Sequence, residues 1–156
     1  MSSSTAENQN EDQFNWEHTR LLVVEDDQVH RMIIRKLAVA LDFDVVEAAG
    51  YDNAIKLLNG GIFDCISLDL SLGVHHGLEV LQYLVSAGRK MPILIVSGGN
   101  PASLKAVASY AEVHYVPILH TMKKPMDLAG LKARLAELKS LADLHRAKRK
   151  ALLAPG

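Results

Sequence analysis

The chain is 156 residues long, 49% hydrophobic and 22% charged, and its 17 Lys and Arg nearly balance 18 Asp and Glu for a formal charge of −1. That profile suits one globular domain with an ordinary core. The lone cysteine, Cys65, excludes an internal disulfide framework and fits a reducing cytoplasm, while apolar runs no longer than Met91–Val96 exclude a membrane span.

Residues 1–19 carry Glu7, Glu11, Asp12 and Glu17 with no Lys or Arg, and lack both apolar periodicity and the apolar core of an export signal. They are expected to form a disordered acidic segment, or one docked loosely through Phe14 and Trp16. Leu21–Val24 is a short apolar run ending in Glu25-Asp26-Asp27 and predicts a buried strand. Val29, Ile33, Leu37 and Leu41 then recur every four residues, as in an amphipathic helix. Asp44–Ala48 reads as a second strand and Tyr51–Asn59 as a helix closed by Gly60-Gly61. The alternation repeats with a strand over Phe63–Leu68, a helix over Leu78–Ala87, a strand over Pro92–Val96, a helix over Ala102–Tyr110, a strand over Ile118–Met122 and a helix from Asp127. Five strands alternating with five helices predict an α/β fold, a doubly wound parallel sheet covered on both faces.

The final helix, if continuous to about Leu153, would be roughly 40 Å long, about twice what such a domain needs. The expected organisation is therefore a domain over 20–138 and a basic helical extension or tail over 139–156. That last stretch carries Lys139, Arg146, Lys148, Arg149 and Lys150 against Asp143 alone. Its charge reads as a solvated tail, and the balanced remainder of the chain gives no nucleic-acid-binding face. From Ser140 the helix is expected to fray or to pair with a second copy through Leu138, Leu141 and Leu144.

In a doubly wound sheet, polar groups at the carboxyl ends of the strands converge on one crevice. Those ends carry Glu25-Asp26-Asp27, Asp69, Ser97-Gly98-Gly99 and Lys123-Lys124-Pro125. Asp69 and Ser97 are 28 residues apart and Ser97 and Lys124 are 27 apart, one strand-helix step each. Crowded carboxylates resist ionising unless a cation compensates, and an oxygen-only site with open positions suits Mg²⁺. A lysine and a hydroxyl opposite can hold phosphoryl oxygens, leaving Asp69 as a carboxylate able to attack phosphorus.

Taken together, Leu22-Val23-Val24-Glu25-Asp26-Asp27, Asp69 with Gly77 eight residues on, Ser97 and Lys124-Pro125 resemble bacterial response-regulator receiver domains over residues 20–140. The resemblance implies a flavodoxin-like strand order 2-1-3-4-5. It also implies a non-enzymatic phosphoacceptor, with Asp69 phosphorylated by a histidine kinase or phosphotransfer protein and Ser97 and Lys124 binding the phosphoryl oxygens. Mg²⁺ would be held at Glu25, Asp26, Asp69 and the Ser71 carbonyl. Ser71 and Gly99, small where the family borders the attacking water's path, imply unobstructed dephosphorylation. Thr121 stands where many receivers carry an aromatic switch residue, so the output surface is expected to differ around residues 108–122. Ile118–Pro125 resembles receivers joined to cyclic-di-GMP phosphodiesterases. Gly73, where the family often has proline, predicts a mobile loop over Leu70–His76.

With too little chain after residue 140 for an effector domain, the expectation is a stand-alone cytoplasmic switch acting through a downstream protein, with homodimerisation through the fourth and fifth helices. Other readings compete. The acids of 25–27 alone suit a helix cap, His75-His76 reads as a solvated loop pair, and Cys65 reads as packing. One rival function is a phosphorylation-independent adaptor. Another is a Mg²⁺-dependent phosphatase with an aspartate nucleophile, disfavoured because Ser71 stands where such enzymes resembling the haloacid dehalogenases carry a second aspartate.

Overall fold

Leu21, Leu22 and Val23 are fully buried, which identifies β1 (Arg20–Val24) as a strand covered on both faces. The computed structural model describes residues 18–153, so the expectations for 1–17 lie outside the described residues. From β1 the chain continues through α1 (Gln28–Ala40), β2 (Asp44–Ala48), α2 (Tyr51–Gly60) and β3 (Cys65–Leu68). A short hairpin follows, β4 (Ser71–Leu72) and β5 (His75–His76), then α3 (Gly77–Ser86), β6 (Ile93–Ser97), α4 (Pro101–His114), β7 (Ile118–Lys123) and α5 (Leu128–Leu153). The main sheet is parallel throughout with order β2-β1-β3-β6-β7, the order the resemblance implies once the hairpin strands are set aside.

Period-two alternation splits the strand residues between two cores. Leu22, Val24, Ile66, Leu68, Ile93 and Ile95 face α2, α3 and α4, with Ala54, Leu58, Val80, Leu81, Leu84 and Val107 packed on them. Leu21, Val23, Cys65, Leu94 and Val96 face α1 and α5 and meet Ile34, Ala38, Leu131, Leu135 and Leu138. Cys65 is fully buried in this second core, as its apolar neighbours predict, and burial pushes its thiol well above the usual range.

Three expectations change. The stretch Leu70–His76 is a hairpin with Ser71 paired to His76 and Leu72 to His75. Gly73 turns it at φ +71°, a value closed to proline. His75 and His76 are half-buried rather than solvated. The ring of His76 accepts from the Leu78 amide and caps α3, and the His75 ring stacks on Tyr51.

The third change concerns α5. It runs unbroken past residue 138 for 26 residues, about 39 Å. Leu138 and Ala142 are fully buried against the sheet, so Leu138 is closed to a second copy, whereas Leu141 and Leu144 are 41% and 54% exposed. Polar contacts hold the extension too. The Thr19 hydroxyl donates to Asp143, and Arg149 Nη2 lies 2.6 Å from Oδ1 of the fully buried Asp64. One basic residue of the extension, Arg149, is thus engaged at the foot of the sheet rather than solvated.

Candidate functional site

Parallel strands end at the same edge, so the residues just beyond β1, β3, β6 and β7 meet there. The three acids after β1 take different places. Asp27 accepts from the His30 amide and caps α1, the role sequence reasoning weighed for the whole cluster. Asp26 is exposed, and Glu25 is 1% exposed, turned into the site. Carboxylate oxygens of Glu25, Asp26 and Asp69 lie within 4.8 Å of one another.

Lys124, one residue beyond β7, spans this cluster. Its ammonium donates to Glu25 Oε1 and lies 3.2 Å from Asp69 Oδ2. The other oxygen of Asp69, Oδ1, accepts from the Ser71 amide at 3.1 Å. Burial, with the Asp69 carboxylate alongside, pushes Glu25 up from 4.5 to about 8 against the pull of Lys124. Burial draws the Lys124 ammonium down, but Glu25 and Asp69 outweigh it and hold it above its ordinary value. With three carboxylates and one ammonium, the pocket is short of positive charge. Glu25 Oε2 is also buried with no hydrogen-bond partner, and that chemistry fits a hard divalent cation such as Mg²⁺.

Ser97 is 1% exposed at the end of β6. Its oxygen accepts from the Gly99 amide at 3.0 Å, leaving its own proton available to an acceptor. A Cβ on Gly99 would sit 3.0 Å from that oxygen, so the hydroxyl's place depends on a bare backbone there. Gly77 is constrained more tightly, since its Cβ would come 2.6 Å from the Asp69 carbonyl and 2.8 Å from Leu70 Cα. Ser71, a small side chain two residues beyond Asp69, is exposed.

Thr121 is apart from this cluster, exposed on the edge strand β7. It borders an open pocket of about 260 Å³ with Leu104, Val107, Ala111 and Ile118 between α4 and the sheet. Sequence reasoning missed His30, whose Nδ1 lies 3.4 Å from Glu25 Oε1, and the Tyr51–His75 stack; no pattern in the sequence brings these pairs together.

The profile of the family described as "Response regulator receiver domain" matches residues 21–136, and the chain belongs to that family. Its members are phosphoacceptors rather than enzymes, and they act in two-component signalling. Among curated proteins, the chain is similar to the Regulator of RpoS of Escherichia coli K12, with 31% identity over 78 residues, 50% of this chain and 23% of that protein. The chain thus spans about a quarter of the length of that relative.

Among solved structures, the chain is similar to a CheY-like receiver domain protein from Methanospirillum hungatei JF-1, with a TM-score of 0.70 at 17% identity, covering 85% of this chain and 99% of that one. A response regulator from Burkholderia pseudomallei, solved with a phosphorylated aspartic acid, a calcium ion and citrate, matches with a TM-score of 0.61 at 25% identity, covering 88% and 75%. No helix among the described residues is long and apolar enough to cross a membrane.

Proposed function

We propose that Asp69 is the phosphoryl acceptor of a response-regulator switch. The observation that carries this is the Lys124 ammonium shared between Asp69 and the buried Glu25, with Asp26 completing the acid cluster. A carboxylate oxygen of Asp69 attacks the donor phosphorus; the new O–P bond forms as the donor's P–N bond breaks, and the donor imidazole leaves with the electron pair. Lys124 and the Ser97 proton then hold the phosphoryl oxygens. Glu25, Asp26, Asp69 and the Ser71 carbonyl would hold Mg²⁺, which would supply positive charge against that of the transferring group. The bound calcium and phosphorylated aspartate of the Burkholderia protein support this reading.

The donor is a histidine kinase or phosphotransfer protein in the cytoplasm, and the output is contact with a downstream protein. Ser71 and Gly99 are small, which favours an unobstructed approach of water to a phosphorylated Asp69 and a short-lived phosphoryl group. Exposed Thr121 favours a second reading, an adaptor indifferent to phosphorylation, because no aromatic ring there reports on the site. Beryllofluoride with Mg²⁺ separates the two. A switch changes its amide NMR spectrum around Asp69, Ser97 and 108–122 on adding the pair, and Asp69→Asn abolishes the change; an adaptor shows neither effect.

A further inference from the structure

The hairpin β4–β5 begins at the acceptor. Ser71, its first residue, donates its amide to Asp69 Oδ1 at 3.1 Å. Two-residue strands are marginal in water; Leu72, 4% exposed, anchors the first strand in the core, while Val74 at the tip is 99% exposed. The second strand is instead held from outside. The His75 ring stacks on Tyr51 with centroids 4.3 Å apart and planes at 22°. Its Nδ1 lies 3.0 Å from Glu79 Oε2, which also accepts from the His76 amide at 2.9 Å. Tyr51 opens α2 directly after β2, and β2 is tied to the acid site because the Glu25 amide donates to the Ala48 carbonyl at 3.0 Å. The stack therefore joins the acid-bearing rim to the hairpin that meets Asp69.

We propose that the Tyr51–His75 stack, braced by Glu79, clasps the β4–β5 hairpin so that Ser71 is held against the acid cluster, making His75 and Tyr51 positioning residues for divalent-cation binding there. This rests on the reading of the cluster as a Mg²⁺ site. A ring-ring contact of this kind is worth about a 3- to 10-fold effect in a binding constant.

Mg²⁺ titrations of the full chain followed by amide NMR, with hydrogen exchange at Ser71 and His76, test it. His75→Ala and Tyr51→Ala should each weaken Mg²⁺ binding by about 3- to 10-fold and speed exchange at Ser71. The double variant should be no weaker than either single one, and Tyr51→Phe, which keeps the ring, should bind as wild type. The substitutions lie on different elements, so a folding failure in one leaves the other informative. Wild-type affinity in both alanine variants, additive losses, or a Tyr51→Phe as weak as Tyr51→Ala would overturn the clasp alone. A wild-type chain that binds no Mg²⁺ would overturn the site reading and the clasp with it.

Discussion

Lys124 Nζ lies 3.2 Å from Asp69 Oδ2 while also donating to Glu25, so one ammonium ties the residue placed to accept a phosphoryl group to the most buried acid of the site. A hydrogen bond to a charged group is worth about 1.5–3 kcal/mol. Lys124→Ala should therefore weaken beryllofluoride binding in the presence of Mg²⁺ by about 10- to 100-fold, measured by titration calorimetry, without loss of the folded sheet.

Glu25 titrates near 8 when folded and 4.5 in an ordinary setting, chiefly because it is buried. The folded state thus holds this proton more tightly than the unfolded chain. In that window the unfolded state has fewer protons bound, so stability of the metal-free protein falls as pH rises from about 4.5 to about 8. Thermal melts in a chelator should show this decline, on the order of a few kcal/mol at most. Glu25→Gln, which cannot ionise, should flatten the profile across the same range.

Gly77 sits where any side chain would press on the Asp69 carbonyl and Leu70. Gly77→Ala should cost about 1–3 kcal/mol in denaturant melts, and it should slow phosphoryl acceptance because the displaced backbone belongs to Asp69 itself. Gly60→Ala, with open space around the added carbon, is the control and should leave acceptance unchanged.

Asp64 is fully buried and receives both the Arg20 amide, at 2.8 Å, and Arg149. Arg149→Ala withdraws one partner from a buried carboxylate and should destabilise the fold by about 1–3 kcal/mol in urea melts. Lys150→Ala, on an exposed neighbour, should change stability by less than about 0.5 kcal/mol.

The alternation of elements was readable because the central strands β1, β3 and β6 are buried on both faces and read as largely apolar runs, while Val29, Ile33, Leu37 and Leu41 keep a helical period. The site was readable for a topological reason, since residues one strand-helix step apart must return to one sheet edge. Contacts without a period were not. The hairpin strands are two residues each, too short for any alternation, so the segment read as a loop. Asp64 and Arg149 stand 85 residues apart and meet only because α5 packs beyond Leu138. A helix cap was weighed for the acids at 25–27 as a group, yet only Asp27 caps α1, while Glu25 is buried in the site.

The most direct measurement is intact-mass spectrometry of the purified chain after incubation with acetyl phosphate and Mg²⁺. The account predicts a gain of one acid-labile phosphoryl group, lost in Asp69→Asn and in wild type treated with a chelator. No gain in the wild type, or an equal gain in Asp69→Asn, would contradict it.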